Sequence, residues 1–285
     1  MANPGWSHRD VRTNGIRLHV AEIGRGPLVL LLHGFPECWY AWRHQLPRLA
    51  RAGFHAVAPD LRGYNLSDRP TGLSAYRVDE LAADVAGLVA ALGHDRAALV
   101  GHDWGGVVAW AAAELHRELI DRLVIVNAPH PRGFRRALMH PSQALRSWYA
   151  GFFQLPGLPE AVLGAGDFAL LRRMFRDDPR RPGAYTAADV EVYRQAWARP
   201  GALKAMVDYY RAVRLPSPPL TGRIAQPTLV VWGDRDRHLR RQMVEPMRRW
   251  VPNLHVRHLP GVSHWVPAEE PELLATTIAD FLHDA

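Results

Sequence analysis

Cysteine occurs once in this 285-residue chain, at Cys38, which excludes an internal disulfide framework and points to a reducing, cytoplasmic setting. No basic-then-apolar leader opens the sequence, and no apolar run is long enough to span a bilayer, so no membrane partner is expected. The 15 histidines are scattered, with neither HExxH nor paired Cys/His spacing, so no metal is expected. Lysine is nearly absent: Lys204 is the only one among 35 Lys plus Arg residues, and the net charge of +7 is arginine charge. Those arginines are spread out and alternate with acids, as in Arg235-Asp236-Arg237, without a recognition-helix, RNA-binding or finger signature. They read as a solvated surface, and no nucleic-acid partner is expected.

What remains is a globular composition, 48% apolar and 22% charged, at a length that suits one α/β domain with an insertion or two modest domains. Residues 8–12 and 16–23 read as strands joined by Thr13-Asn14-Gly15, a hairpin signal. Leu28 to Leu32 is a continuous aliphatic run, as expected for a central strand covered on both faces. A helix is expected over 39–52, a strand over 54–58, and a helix over 78–92, where apolar residues recur every three or four positions. Ala97 to Val100 forms the next strand, an alanine-rich helix follows over 107–116, and another strand over 123–126. This alternation predicts an α/β fold with a doubly wound, mostly parallel sheet, whose ligands bind at the carboxyl ends of the strands.

From Asn127-Ala128-Pro129-His130-Pro131 the alternation stops. Residues 132–214 carry helix signals and aromatics but no convincing strand, and Pro216-Ser217-Pro218-Pro219 forms a stiff return linker. A strand over 228–232, a helix over 240–250, a strand over 255–258 and a helix over 271–282 complete the pattern. The expected organisation is a core domain of residues 1–130 and 215–285, interrupted by a helical cap domain over 131–214.

The chemistry concentrates at strand ends. Gly101-His102-Asp103-Trp104-Gly105-Gly106 lies between a strand and a helix, with small residues flanking one central acid. That is the layout of a nucleophile elbow, where the central backbone is strained and Gly101 and Gly105 leave room for it. His33-Gly34-Phe35-Pro36-Glu37, Gly233-Asp234-Arg235-Asp236 and Gly261-Val262-Ser263-His264 close three other strands. Together they supply nucleophile, acid and histidine in the order Asp103, Asp236, His264, although pattern alone leaves Asp234 and Asp236 equal as the acid. An aspartate is already ionised at neutral pH and attacks a saturated carbon directly, where serine needs a base first.

With these motifs the sequence resembles the α/β-hydrolase fold superfamily, and within it the soluble epoxide hydrolases, over nearly its whole length. The resemblance selects Asp236 over Asp234. It implies a covalent ester on Asp103, a water activated by His264, and an oxyanion hole made by the backbone N–H groups of Phe35 and Trp104. It further matches Tyr149 and Tyr210 to the cap tyrosines that protonate the opening epoxide, with Tyr209 as the alternative to Tyr210. A phenol suits that task because its ordinary pKa of ~10 keeps the proton on at neutral pH.

Haloalkane dehalogenases share the elbow, but they often place a halide-binding Asn where Phe35 stands. Fluoroacetate dehalogenases carry arginines on the elbow helix, and residues 107–112 contain none. A ligand-binding protein on the same fold is the remaining alternative, and it has no need of a triad. Phe35, Trp39, Trp104 and Phe152 are expected to line an apolar substrate pocket. The implied activity is hydrolysis of a small apolar epoxide by water, without cofactor. His102 and His130 lie in motifs without a chemical role and are expected to be structural.

Overall fold

A computed structural model of the protein describes residues 5–218, 220 and 222–284. The hairpin forms as β1 (Ser7–Thr13) and β2 (Ile16–Ile23), paired antiparallel, with Asn14 and Gly15 both at positive φ in the turn. The aliphatic run becomes β3 (Leu28–Leu32), all of whose residues are buried. Next come α1 (Gln45–Arg51), β4 (His55–Pro59), α2 (Val78–Ala91), β5 (Ala97–His102), α3 (Trp104–Leu115) and β6 (Ile120–Val126). Helices then follow without a strand among the described residues: α4 (Pro131–Leu138), α5 (Pro141–Arg146), α6 (Trp148–Phe152), α7 (Leu158–Asp177), α8 (Ala187–Trp197) and α9 (Ala202–Ala212). Alternation resumes with β7 (Thr228–Gly233) and β8 (Leu254–Leu259), and the chain closes with α10 (Val266–Glu269) and α11 (Pro271–His283). Of the residues assigned above to the core and linker, 1–4, Pro219, Thr221 and Ala285 lie outside those described.

The eight strands form one sheet in the order β1-β2-β4-β3-β5-β6-β7-β8. Only the pairings of β2 with β1 and β4 are antiparallel; from β4 to β8 every neighbour is parallel. All carboxyl ends of β3, β5, β6, β7 and β8 therefore open on the same edge. Helices α1 and α11 pack on one another, as do α2 and α3, and these pairs cover the sheet.

Two expected helices are broken, and proline explains both. Over 39–52 a 3-10 turn at Trp39–Trp42 precedes α1, because Pro47 has no N–H to give the carbonyl of Arg43. Over 240–250 there are only short 3-10 turns, Arg241–Met243 and Glu245–Arg249, with Pro246 interrupting the ladder in the same way. The elbow helix starts earlier than expected, at Trp104, because the sharp turn is confined to Asp103 and both Gly105 and Gly106 are already helical.

Candidate active site

The elbow is built by close approach. A Cβ on Gly105 would sit 2.1 Å from the carbonyl oxygen of Leu32, and one on Gly34 would sit 2.4 Å from Cβ of Asp103. The neighbouring strands β3 and β5 thus bring the two loops into contact. Asp103 itself has φ 51° and ψ −119°, a conformation costly for a residue with a side chain and held here by the strand and helix on either side. Its Oδ1 accepts a hydrogen bond from the Phe35 N–H at 2.9 Å. The N–H of Trp104, first residue of α3, is a helix-start donor with no intrahelical acceptor.

Strands β7 and β8 deliver the other two members. His264 Nδ1 donates to Asp236 Oδ2 at 2.7 Å, and His264 Nε2 stands 3.6 Å from Asp103 Oδ2. Of the two acids left open by pattern, Asp236 takes this place, while Asp234 pairs with His258 and Arg241. Asp236 is fully enclosed: Oδ1 accepts from the backbone of His238 and Leu239, and Oδ2 also accepts from Asn127 Nδ2 at 2.6 Å. These contacts make the triad an ion cluster. Burial alone would lower His264, but Asp236 and Asp103 together raise its pKa well above 6.5. Burial alone would likewise raise Asp103, yet the His264 hydrogen bond and charge dominate, and its pKa falls to about 2.

Across from the triad lies a cavity of about 350 Å³. Asp103 and His264 form its floor, and Phe35, Tyr149, Phe152, Phe153 and Tyr210 are among its walls. The rings of Tyr149 (on α6) and Tyr210 (on α9) are 6.0 Å apart and nearly perpendicular. Burial first, then the nearby Asp103 carboxylate, pushes both phenols above their ordinary value, so both stay protonated. Tyr209 turns the other way: its hydroxyl donates to the Arg62 carbonyl at 2.7 Å, and its ring packs on Tyr64 and Tyr76.

Two expected pocket residues stand elsewhere. Trp39 lies against Trp6 and His8 beside the outermost strand, with its backbone N–H bound to Asp60, because the 3-10 turn rotates its ring away from the strand ends. Trp104 stands edge-on to Tyr210 at 5.0 Å and backs that ring instead of lining the cavity. Among the described residues no cluster of His, Cys, Asp and Glu is arranged to hold a metal ion, and no helix is long and apolar enough to cross a membrane.

Among the supporting residues, His102 and His130 hold the structural places expected of them, whereas Asn127, Gln143 and Arg146 escaped the sequence reading. Asn127, at the end of β6 with φ 42°, ties Asp236 to the backbone N–H of Gly233, which its Oδ1 accepts at 2.9 Å. It belongs to a motif singled out above, and an asparagine between a strand and Ala-Pro was the available signal. His102 donates from Nε2 to the His264 carbonyl and is paired at Nδ1 with the buried Glu37, which also accepts from Tyr185 and Tyr193. His130 donates to the Gly222 carbonyl and stacks on Trp250. Gln143 and Arg146, from α5, donate to the carbonyls of His238 and Asp236 and so fasten the insertion to the loop carrying the acid. Nothing in their local sequence marks that contact.

Comparison with known proteins agrees with this geometry. Residues 27–271 match the family model described as alpha/beta hydrolase fold. The chain is 42% identical over 282 residues to the AB hydrolase superfamily protein YfhM of Bacillus subtilis, covering 95% of this chain and 96% of that protein. It is 37% identical to mouse Epoxide hydrolase 4, over 96% of this chain and 78% of the relative. Among solved structures, the Bacillus megaterium epoxide hydrolase in complex with an inhibitor superposes with a TM-score of 0.88 at 32% identity, covering 96% of this chain and 100% of that one. With the elbow, the parallel strand ends and these likenesses together, the chain belongs to the α/β-hydrolase fold family and, within it, to the epoxide hydrolases.

Proposed function

We propose that this protein hydrolyses an apolar epoxide to a vicinal diol through a covalent ester on Asp103, with residues 131–214 acting as a cap. The observation that carries the reading is the pair of protonated phenols facing an ionised carboxylate across one apolar cavity. Asp103 Oδ2, the oxygen nearer His264, attacks a ring carbon. The C–O bond of the ring breaks, and Tyr149 or Tyr210 gives the leaving oxygen its proton. A halide leaving group needs no such acid, which favours the epoxide over the dehalogenase reading.

Ester formation removes the charge of Asp103, and with it one of the two interactions that raise His264. The imidazolium then gives up its proton to solvent, and the tyrosinate left by ring opening takes one back, so the two transfers balance. Neutral His264 takes a proton from water, and the hydroxide adds to Cγ of Asp103. Negative charge collects on Oδ1, already within 2.9 Å of the Phe35 N–H. A second donor from Trp104 completes the hole, and one such donor is typically worth about 3 kcal/mol. Collapse expels the diol oxygen, which recovers the proton from His264. The carboxylic acid left on Asp103 then gives its proton to His264, which restores the starting ion pair, and Asp236 holds the ring in the required tautomer throughout.

A single turnover of styrene oxide in isotopically heavy water tests this. Heavy oxygen is expected in the Asp103 carboxylate, read by mass spectrometry of the proteolysed enzyme. A diol that carries the label while Asp103 does not would overturn the covalent route.

A further inference from the structure

The cavity is apolar for most of its lining, through Phe152, Phe153, Leu163, Leu171 and Met174, but one end is polar. There Arg146, Asp178, Arg237 and His238 meet. Three of the four are committed. Arg146 donates to the Asp236 and Arg237 carbonyls, and Arg237 pairs with Asp178 at 3.2 Å. Asp178, at the end of α7, also accepts from His238 Nε2 at 2.9 Å. Burial alone would raise Asp178, but the hydrogen bond and charge of His238 more than offset it, so the carboxylate stays ionised.

An ionised carboxylate only accepts hydrogen bonds, so it fixes a proton on Nε2 of His238. In the neutral ring the lone pair is then on Nδ1, which takes no hydrogen bond from the described residues. The ring is held 5.3 Å from that of His264 and 6.0 Å from that of Tyr149, centre to centre. It therefore borders both the histidine of the triad and one of the two cavity tyrosines. It is also only partly buried, and its backbone N–H, not its side chain, supports Asp236.

We infer that His238 is a specificity-determining residue that accepts a hydrogen bond from a hydroxyl one carbon away from the oxirane. The substrate class that fits the site is a 2,3-epoxy alcohol with an apolar substituent on the far ring carbon. The apolar group lies against Phe152 and Phe153, and the hydroxyl turns to the polar end. Asp178 is a positioning residue, since it acts by fixing the tautomer of His238. The inference rests on the epoxide hydrolase reading above.

The test uses two matched substrates, 3-phenylglycidol and β-methylstyrene oxide, which differ only by the hydroxyl. The measured quantity is the ratio of their kcat/KM values, so general loss of activity cancels. His238→Val is expected to lower the alcohol-to-methyl ratio roughly five- to tenfold, the worth of one partly exposed hydrogen bond. His238→Gln, whose side-chain oxygen also accepts, should retain at least half of the wild-type preference. His238→Phe, which cannot accept, takes the place of the valine variant if that does not fold, with the same loss expected. Asp178→Asn should lower the ratio through KM for the alcohol, which a merely structural contact would not select. A ratio unchanged in His238→Val, or in the His238→Phe variant that replaces it, overturns the inference while leaving epoxide hydrolysis intact. If the wild-type protein turns over neither epoxide, it is the underlying reading that fails.

Discussion

The side chains proposed to react come from two regions built by different rules. Asp103, Asp236, His264 and the Phe35 amide stand at the carboxyl ends of parallel strands, where backbone pairing sets their spacing. Tyr149 and Tyr210 stand on two helices of the insertion, α6 and α9, positioned only by side-chain packing and by ties such as Gln143 and Arg146 to the acid loop. The strand ends hold the proposed nucleophile and base at 3.6 Å, whereas the insertion supplies the proposed acids across the cavity. In the proposed mechanism one region makes the covalent bond and breaks it, and the other decides which leaving groups are accepted.

The largest effect that separates them is expected for His264→Gln. Ring opening needs only Asp103 and the tyrosines, so the variant should form the ester and then stall. Turnover should fall about 10⁴-fold or more, the scale seen when one member of a triad is removed. Intact-protein mass spectrometry should show one added substrate mass. A variant that stalls without an adduct would place His264 in the first step and erase the division between the regions.

Next in size is Tyr149→Phe combined with Tyr210→Phe. Loss of general acid assistance should slow epoxide opening by about 10²–10⁴-fold. In the His264→Gln background the same pair should suppress the adduct from styrene oxide but permit one from an alkyl bromide, which leaves without a proton. If both electrophiles slow equally, the tyrosines serve to shape the cavity and not to protonate.

The same division governs how much was legible in the sequence. Strand ends were readable because Leu28–Leu32, Ala97–Val100 and Thr228–Trp232 are buried apolar runs, and a parallel sheet leaves their next residues on one edge. Trp39 was misplaced because its direction depends on a 3-10 turn created by Pro47 eight residues later. Asn127 sat in a recognised motif, yet its partner Asp236 is 109 residues away, so only the fold connects them. In the insertion, Tyr209 and Tyr210 are adjacent, and a helix sends them to different sides. One meets the Arg62 carbonyl and the other the cavity. Helix phase, unlike strand order, was not available from the pattern of aromatics.

The smallest expected effect concerns the charge cluster, which belongs wholly to the strand ends. Because the pKa of His264 is raised in the folded protein, its contribution to stability is complete below the unfolded value of ~6.5. That contribution fades as pH climbs from there through the raised native value. Asp103 has the opposite sign: lowered to about 2, it contributes fully above the unfolded value of ~3.9 and loses that contribution as acid protonates it. The cluster should therefore stabilise most between about pH 4 and 6.5. Denaturant unfolding of wild type and His264→Gln across that range should show their stability gap narrowing by about 1–3 kcal/mol on either side. Tyr149→Phe should leave the shape of the profile in place, since its phenol, raised above 10, keeps its proton in both states over this range. A profile that flattens in the Tyr149 variant would mean that the insertion, through its ties to the loop after β7, holds the ion cluster together.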